Sequence, residues 1–447
     1  MRRLGIDIFE PDRKPEDNGM LNYQTLVQKA KQGFASLDLP EQFKTDALKW
    51  LERWLTDAQF SDYVPQIEHL VEAGQWDFLL DSFYQVIPFG TGGRRGLVGI
   101  GPNRINPWTI QASAQGHSQY LIKTHGGSAK TRGLVLAYDV RRFTDTDRYA
   151  DDRPNPVKNI DCRQLAEAAA RVYTANGIHV FLFEAARSTP ELSFAIRHLK
   201  AVSGCMISAS HNLPTDNGKK VYDQYGGQLI PPHDQDLVDE VTGNVSAIAT
   251  LDLDEATRKG MLTMVGSAVD KAYHQAVAGL TLNDATGIRI LYAPLHGTGL
   301  TSVYPALKAR GFDVHLDPAT ANLSGAFENV TFNIPNPEVV QSFDTVIPNA
   351  DAIGADVIMS TDPDADRIGI IAAGRLVALD TPSGLRSRAA DARVTWIDDG
   401  TSHAEETSNP TAFLRELLAN HEGEIEGLQV VHPSLEDVYL RLIDDAS

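Results

Sequence analysis

The sequence has little positive charge and no long hydrophobic run, and each shortage excludes a class of function. Forty lysines and arginines stand against 59 aspartates and glutamates, which gives a formal net charge of −19. Proteins dedicated to nucleic acids carry basic surfaces, so nucleic acid is not an expected partner. No apolar run approaches the roughly 20 residues that span a bilayer, so we expect no membrane span.

Cysteine is also scarce. Cys162 and Cys205 are the only two cysteines, and neither belongs to a CxxC pair typical of a metal site. Two cysteines cannot form a disulfide framework, and this usage is typical of a reducing, cytoplasmic setting, which is the localisation we expect. The N-terminal segment Met1–Asp7 has two arginines but no apolar stretch after them, which is unlike a signal peptide.

The spacing of apolar residues predicts an α/β protein of several domains. A chain of 447 residues is longer than one hydrophobic core usually serves. Apolar residues recur at helical spacing from Phe43 to Leu55, which predicts an N-terminal helical extension. Further on, short apolar runs alternate with helical stretches, as in parallel sheets whose ligands bind beyond the carboxyl ends of the strands. The predicted strands are Gly133–Tyr138, Ile178–Phe183, Ile288–Tyr292 and Ala355–Met359, and the predicted helices include Cys162–Asn176 and Thr189–Lys200.

A serine-containing loop offers a candidate nucleophile. In the segment Ser208–Asn212, small residues leave the hydroxyl of Ser210 accessible, and His211 can donate a hydrogen bond or move a proton. Lys220 lies ten residues beyond Ser210 and can return to the same pocket. On its own this segment is more typical of a solvated polar turn, and only the two segments described next favour a catalytic loop.

An acidic loop directly follows the predicted strand Ala355–Met359. Its alternating carboxylates Asp362, Asp364 and Asp366 repel one another unless a cation lies between them, which favours a hard divalent ion such as Mg²⁺. The loop is not an EF-hand, because Arg367 stands where that motif needs glycine and an alanine where it needs glutamate. The alternative is a solvated acidic turn, but the position after a buried strand favours a metal site.

A glycine-rich segment, Phe89–Gly96, contains the adjacent arginines Arg94 and Arg95. Glycines let the backbone approach a ligand, and arginines bind phosphate through two parallel hydrogen bonds. The segment matches neither the Rossmann nor the Walker A pattern. With the other two segments it completes a set suited to phosphoryl transfer: a hydroxyl, a divalent metal and several cations.

Together the three segments resemble motifs of the α-D-phosphohexomutase family, which includes phosphoglucomutases and phosphomannomutases. Ser208–Asn212 resembles the family's TASHNP loop, and Asp362–Arg367 resembles its DGDGDR metal loop. Phe89–Gly96 resembles FGTSGLRG, with Arg94 in place of an apolar residue. The resemblance covers about residues 50–371 and is greatest to the larger branch, which contains phosphoglucomutase and phosphopentomutase activities.

This resemblance implies that a phosphoserine at Ser210 exchanges phosphate with a sugar phosphate through a bisphosphate intermediate. It implies Mg²⁺ as cofactor and glucose 1,6-bisphosphate as activator, and we expect Ser210 to face the three carboxylates. Either His211 or Lys220 could transfer the proton, and the sequence does not decide between them. The implied catalytic residues are Ser210, His211, Lys220, Arg95 and Arg367. The implied substrate- and phosphate-binding residues are Thr91, Arg94, Arg95, Asn212 and Lys219, and the implied metal ligands are Ser210, Asp362, Asp364 and Asp366.

The resemblance also implies two mixed-sheet α/β domains, preceded by the helical extension and followed by a small α+β unit. Residues beyond about 371 lack the family's sugar loop and its RPSGTEP loop; instead, Ile368–Pro382 and Leu428–Leu442 resemble the C-terminal tail of ABC-transporter ATP-binding subunits. A fusion is favoured over a divergent third mutase domain. No GxxxxGK[ST] motif is present, which excludes the transporter ATPase itself. The predicted domains are the extension at 1–60, domain I at 61–255, domain II at 256–371 and the tail at 372–447.

The expected function is therefore a phosphoglucomutase-like intramolecular phosphotransferase acting on a small sugar phosphate. Its turnover would be impaired if the third and fourth mutase domains are missing, because water exclusion depends on closure of the active-site cleft. The alternative is a catalytically incomplete fusion product that only binds sugar phosphates.

Overall fold

The computed structural model describes residues 17–90, 92–230, 233–243, 245, 247–281, 283–372, 375–380, 392–398, 401–407, 410–419, 425 and 427–431. Its elements form an N-terminal group of helices, two α/β domains and a small C-terminal sheet, which confirms the predicted α/β fold class. Among these residues, no helix combines the length and the apolar character needed to cross a bilayer.

Between residue 17 and the first strand, the described residues form four α-helices. Trp54 is fully buried at their centre, stacked on Phe60 with ring centroids 4.3 Å apart and meeting Phe83 edge-on at 5.6 Å. Phe83 therefore belongs to the same aromatic core as Trp54. The helices are α1 (Asp17–Ala35), α2 (Glu41–Thr56), α3 (Val64–Glu72) and α4 (Trp76–Phe83).

The first domain is a six-stranded mixed sheet with helices on its faces. The spatial order is β1-β5-β4-β2-β3-β6, in which β5 runs antiparallel to both β1 and β4 and the other neighbours are parallel. The strands are β1 (Gly93–Leu97), β2 (Leu134–Tyr138), β3 (Val180–Phe183), β4 (Ser203–Ile207), β5 (Asp216–Tyr222) and β6 (Leu262–Val265). The helices are α5 (Pro107–His125), α6 (Gly127–Arg132), α7 (Cys162–Ala175), α8 (Thr189–His198), α9 (His233–Gly243), α10 (Leu253–Arg258) and α11 (Ser267–Ala278).

Two elements that follow the boundary predicted at residue 255 pack on this sheet. The edge strand β6 pairs in parallel with β3, and Val269 of α11 packs in the same cluster as Leu192 of α8. A four-residue strand with only one β-branched apolar residue gives little periodic signal, which is why the sequence did not predict β6.

The second domain is a five-stranded sheet in the order β11-β10-β9-β7-β8. Its central strands β7 and β9 run parallel, and β10 returns antiparallel to β9 after a tight loop. The strands are β7 (Arg289–Ala293), β8 (Asp313–Leu316), β9 (Val357–Thr361), β10 (Ile368–Ala372) and β11 (Arg375–Asp380), and the α-helices are α12 (Gly299–Arg310) and α13 (Ile347–Ile353).

The elements predicted from the sequence recur with small shifts. The four predicted strands appear as β2, β3, β7 and β9, displaced by no more than two residues at either end. The two predicted helices appear as α7 and α8. Burial of both faces of β2, whose five residues are all buried, accounts for its continuous apolar sequence.

The C-terminal unit is a three-stranded antiparallel sheet with β12 in the middle. The described strands and helix agree with the small α+β unit expected here. The polar strand Thr401–Thr407 was not predicted, because it has no alternating apolar face. Much of 372–447, including 432–447, lies outside the described residues, so the resemblance to ABC subunits stays a prediction. The elements are β12 (Ala392–Asp398), β13 (Thr401–Thr407), α14 (Pro410–Ala419) and β14 (Gln429–Val431).

Candidate active site

The loop after β4 holds Ser210 in a conformation that presents its hydroxyl. Ser210 has a φ of 56°, in the left-handed region that non-glycine residues rarely adopt. Its backbone N–H donates to Ser208 Oγ at 2.8 Å, and Ser208 Oγ donates to Asp139 Oδ2 at 2.7 Å. The neighbouring strand end at β2 therefore supports the strained turn.

Arg141 binds the backbone of the same loop. Its guanidinium donates to the backbone oxygens of Asn212 and Leu213 at 2.7 Å and also to that of Ser210. Asp139 orients the guanidinium through a 3.1 Å contact with Nε. Both side chains are buried, and their pairing satisfies charges that would otherwise be costly to bury.

The loop after β9 brings three carboxylates together. Each of Asp362, Asp364 and Asp366 offers one oxygen, and these oxygens all lie within 4.8 Å of one another. The backbone N–H groups of Asp366 and Arg367 both donate to Asp362 Oδ1 at 3.1 Å, which fixes the turn. Ala365 takes a φ of 52° between two of the acids.

Ser210 faces this acidic triad across the two domains. Ser210 Oγ donates to Asp362 Oδ2 at 2.7 Å and lies 3.5 Å from Asp366 Oδ1. Thr189, at the start of α8, also crosses to the triad, because its Oγ1 donates to Asp364 Oδ2 at 2.7 Å. The sequence interpretation missed Thr189, although its position after the N-cap Ser188 placed it at a strand-to-helix turn of the kind that carries ligands.

Burial and neighbouring charges shift the pKa values of several groups in the site. Burial, together with the charges of Asp364 and Asp366, holds the pKa of Asp362 well above its usual value. Burial acts in the same direction on Asp364, but the Lys220 ammonium outweighs it and lowers the pKa of Asp364. Burial first, and then the charge of Arg367, lowers the pKa of His211 to about 4, so its imidazole is neutral at neutral pH.

The triad fits a hard divalent cation. Three carboxylates and a hydroxyl form an all-oxygen donor set of the kind that Mg²⁺ prefers. Asp364 Oδ1 is buried and has no hydrogen-bond partner among the described residues, which leaves it available to a cation. Lys220 supplies a positive charge to the same group, with Nζ 2.6 Å from Asp364 Oδ2 and 2.9 Å from Asp366 Oδ2.

The remaining predicted residues divide into those near Ser210 and those that point elsewhere. His211 Nδ1 lies 3.3 Å from Ser210 Oγ, and Arg95 Nη1 donates to Asn212 Oδ1 at 3.1 Å. A cavity of about 210 Å³ opens beside Ser210 and is bordered by Arg95, Lys220 and Arg367. Thr91 lies outside the described residues.

Arg94 and Lys219 direct their side chains away from this loop. Arg94 Nη1 donates to the backbone oxygen of Thr109 in α5, and Lys219 Nζ lies over the ring of Tyr173 in α7. Arg94 and Lys219 still border the cavity beside Ser210, as Arg95 does, so the phosphate-binding roles predicted for them stay predictions. Alternation along a strand explains the different directions of these side chains, because β1 and β5 expose neighbouring residues on opposite faces.

Comparisons with known proteins agree with this geometry. The family model for phosphoglucomutase/phosphomannomutase alpha/beta/alpha domain I matches residues 158–247, and the model for domain II matches residues 271–374. A phosphoglucomutase of Staphylococcus saprophyticus is 31% identical over 329 residues, which cover 72% of this chain and 53% of that protein. A human phosphopentomutase is 30% identical over 327 residues, which cover 71% of this chain and 51% of that protein.

A solved structure shares the fold. A phosphoglucomutase/phosphomannomutase family protein of Burkholderia thailandensis superposes with a TM-score of 0.51 and 18% identity, covering 68% of this chain and 57% of that protein. The chain spans about half the length of the curated relatives it matches. It carries domains I and II of the phosphohexomutase family, with the predicted serine and acidic loops at their junction.

Proposed function

We propose that this chain transfers phosphate between Ser210 and a sugar phosphate, as in the phosphoglucomutase-type interconversion of sugar 1-phosphate and 6-phosphate. The observation that carries the proposal is the 2.7 Å contact of Ser210 Oγ with Asp362, on a hydroxyl presented by a strained turn. A structural serine would not need a left-handed backbone aimed at three clustered carboxylates. The names of the relatives support the reaction class.

The residues around Ser210 divide the work of the transfer. In one direction the phosphate of phosphoserine 210 passes to a sugar hydroxyl, and the bond from Ser210 Oγ to phosphorus breaks. The bisphosphate then returns its other phosphate to Ser210. Arg95 and Arg367 border the cavity and place cations where a phosphate would lie. His211, 3.3 Å from Ser210 Oγ, and Lys220 both stay candidates for moving the proton.

Asp362, Asp364 and Asp366 would hold Mg²⁺, together with an oxygen of Ser210. A bound Mg²⁺ would neutralise charge on the transferred phosphate. Glucose 1,6-bisphosphate would act as activator by phosphorylating Ser210. Lys220, which contacts two of the carboxylates, would keep the triad oriented when phosphoserine adds about −1.5 to −2 charge beside it.

A second candidate function rests on the segments that match the family. The matching family models are those of domains I and II, over residues 158–247 and 271–374. In the second function the chain binds a sugar phosphate and accepts phosphate on Ser210 but does not complete the isomerisation. Retention of the bisphosphate in a closed, water-free cleft would then be the step that fails.

Phosphate incorporation tests the shared step. We expect incubation with glucose 1,6-bisphosphate and Mg²⁺ to add one phosphate, located at Ser210 by peptide mass spectrometry. Ser210→Ala should abolish the incorporation. Ser208→Ala is the matched control from the same loop: it loses a supporting hydroxyl and should retain a reduced level of incorporation at Ser210. Equal incorporation in wild type and Ser210→Ala would overturn the proposal.

A turnover assay separates the two functions. Conversion of glucose 1-phosphate to glucose 6-phosphate is followed with a coupled dehydrogenase, with and without glucose 1,6-bisphosphate. Repeated turnover supports the mutase function. Incorporation of a single phosphate without turnover supports the incomplete, sugar-phosphate-binding function. Conversion of ribose 1-phosphate to ribose 5-phosphate, followed by phosphorus NMR, tests the pentose preference suggested by the phosphopentomutase relative.

A further inference from the structure

A second and larger cavity lies on the other face of β1, beneath the N-terminal helices. It encloses about 440 Å³, compared with about 210 Å³ beside Ser210. Trp50 of α2 and Trp108 of α5 line it, with ring centroids 6.0 Å apart. The loop Val86–Pro88 and the side chains of Val241 and Ile248 supply further apolar wall.

Arg94 lines this cavity with a nearly buried charge. The residue is 3% exposed, and its one hydrogen bond among the described residues runs from Nη1 to Thr109 O at 3.1 Å. Its Nε is buried without a hydrogen-bond partner, and no carboxylate of the described residues lies within ion-pair distance. The guanidinium carbon lies 5.9 Å from the centroid of the Phe89 ring, which stabilises the charge through a cation–π contact.

A buried guanidinium without a counter-ion is costly. Desolvation of an unpaired charge is repaid in proteins by a carboxylate or a bound anion. Burial lowers the pKa of Arg94 to about 10, so the group still carries its charge at neutral pH. The apolar residue at the corresponding position of the FGTSGLRG motif would carry no such cost, so this charge is a feature of the present chain.

The side chains that line the cavity determine which kind of anion it can bind. Two tryptophan rings that meet at 65° and several aliphatic side chains offer mainly apolar wall, whereas a sugar needs hydrogen-bond partners for every buried hydroxyl. Arg53 adds a second cation next to the aromatic wall, with its guanidinium carbon 5.2 Å from the Trp50 ring centroid. The cavity therefore favours a ligand in which an anionic group is attached to a planar apolar ring.

We propose that this cavity is a binding site for an aromatic organic anion, whose carboxylate or sulfonate pairs with Arg94 and whose ring packs on Trp50 and Trp108. Arg94 borders both cavities, but Arg94 and Arg95 are consecutive on β1 and project to opposite faces, so the proposed anion and the sugar phosphate lie on different sides of the strand. An anion on Arg94 and a sugar phosphate beside Arg95 bind together.

Isothermal titration calorimetry with naphthalene-1-sulfonate tests the site on the full chain. We expect one saturable site per chain in wild type. Arg94→Met keeps the length of the side chain and removes the charge, and affinity should fall by about tenfold or more. Arg95→Met, the neighbour on the opposite face, should change the affinity by less than about twofold.

Two controls assign the binding to this cavity. The uncharged naphthalene-1-sulfonamide should bind about tenfold or more weakly than the sulfonate, because it cannot neutralise Arg94. Saturating glucose 1-phosphate should leave the sulfonate affinity unchanged. Circular dichroism and thermal melting verify that Arg94→Met is folded, as expected when an unpaired buried charge is removed.

Three outcomes would overturn the proposal. The first is the absence of saturable binding of the sulfonate up to its solubility limit. The second is equal affinity in wild type and in folded Arg94→Met. The third is loss of binding in Arg95→Met or displacement by glucose 1-phosphate, either of which would place the anion at the phosphate site.

Discussion

Glu191 is a buried carboxyl group whose ion pair with Arg187 is long and whose oxygens have no hydrogen-bond partner among the described residues. Its side chain is 1% exposed, and its Oε1 lies 3.9 Å from Arg187 Nε. Arg187 instead binds Asp270 through two hydrogen bonds of 2.8 and 2.9 Å. Burial first, and then the neighbouring Asp270 carboxylate, raises the pKa of Glu191 to about 8.

We expect the stability of the protein to fall as pH rises from about 5 to 8, because the folded state holds the Glu191 proton more tightly than the unfolded state. Each unit of pKa difference corresponds to about 1.4 kcal/mol. Glu191→Gln removes this ionisation and should raise the free energy of unfolding at pH 8 by up to a few kcal/mol, with little gain at pH 5. Urea denaturation at both pH values measures the difference.

Glu52→Gln is the control for this experiment, because Glu52 is exposed on α2. It should change the free energy of unfolding by less than about 0.5 kcal/mol at either pH. If Glu191→Gln lowered stability equally at pH 5 and pH 8, the Glu191 proton would have no part in the pH dependence.

Among the three carboxylates of the acidic triad, Asp364 is the one chosen to test Mg²⁺ binding. Asp364→Asn keeps the shape of the side chain but removes one negative charge and the ion pair with Lys220, 2.6 Å away. We expect Mg²⁺ affinity, measured by calorimetry, to fall by about tenfold or more, since carboxylates dominate Mg²⁺ binding. Asp356→Asn, on the same domain but exposed, should leave Mg²⁺ affinity unchanged. Equal affinities in the two variants would remove Asp364 from the metal site.

At the scale of elements, the contiguous motifs were predictable and the faces of the strands were not. The serine and acidic loops each follow a buried apolar strand, so their sequence position alone placed them at the carboxyl ends of β4 and β9. By contrast, Arg94 and Arg95 stand in a segment interpreted as a glycine-rich loop. It forms β1, because it pairs with β5 along five residues. That pairing, which no local sequence pattern encodes, directs the side chain of Arg94 toward α5.

Helix α5 begins at a cap that also ties down a loop. Asn106 Oδ1 accepts from the backbone N–H of Thr109 at 3.0 Å, and its Nδ2 donates to the backbone oxygens of Gly99 and Gly101 at 2.9 and 2.8 Å. The residue is fully buried. At α7, Asp161 accepts from the N–H of Gln164 at 2.8 Å but holds no distant loop.

We therefore expect Asn106→Ala to cost about 3 kcal/mol or more, because it removes the cap and leaves two buried carbonyls without a partner. Asp161→Ala removes a cap alone and should cost about 1 kcal/mol. Chemical denaturation compares the two variants. Equal costs would show that the contacts of Asn106 to Gly99 and Gly101 contribute nothing beyond the cap.

At the scale of the whole molecule, the site exists because two domains meet. Thr189 of the first domain donates its backbone N–H to Asp364 O at 2.8 Å, and the Arg141 guanidinium carbon lies 4.9 Å from the Phe327 ring centroid. The sequence predicted that Ser210 faces the acidic loop through family resemblance alone. The physical contacts join residues more than 150 positions apart, and such contacts leave no local pattern along the chain.

Gly325 lies where the second domain touches the first. A Cβ placed there would come within 2.3 Å of Arg142 N and 2.4 Å of Val140 O, both backbone atoms that cannot rotate away. Gly287 belongs to the same domain, but a Cβ there would meet nothing within 4 Å. The two glycines therefore form a matched pair for the domain contact.

We expect Gly325→Ala to push the domains apart, lowering the free energy of unfolding by about 1–3 kcal/mol. Because Ser210 and the acidic triad lie on opposite sides of this contact, phosphorylation of Ser210 should slow in the same variant. Gly287→Ala should match wild type in both measurements, within about 0.5 kcal/mol for stability. Calorimetric melting and the rate of phosphate incorporation are the readouts. If Gly325→Ala lost stability but phosphorylated Ser210 at the wild-type rate, the serine would act without a fixed domain contact, and the geometry of the triad would have to be set within the second domain alone.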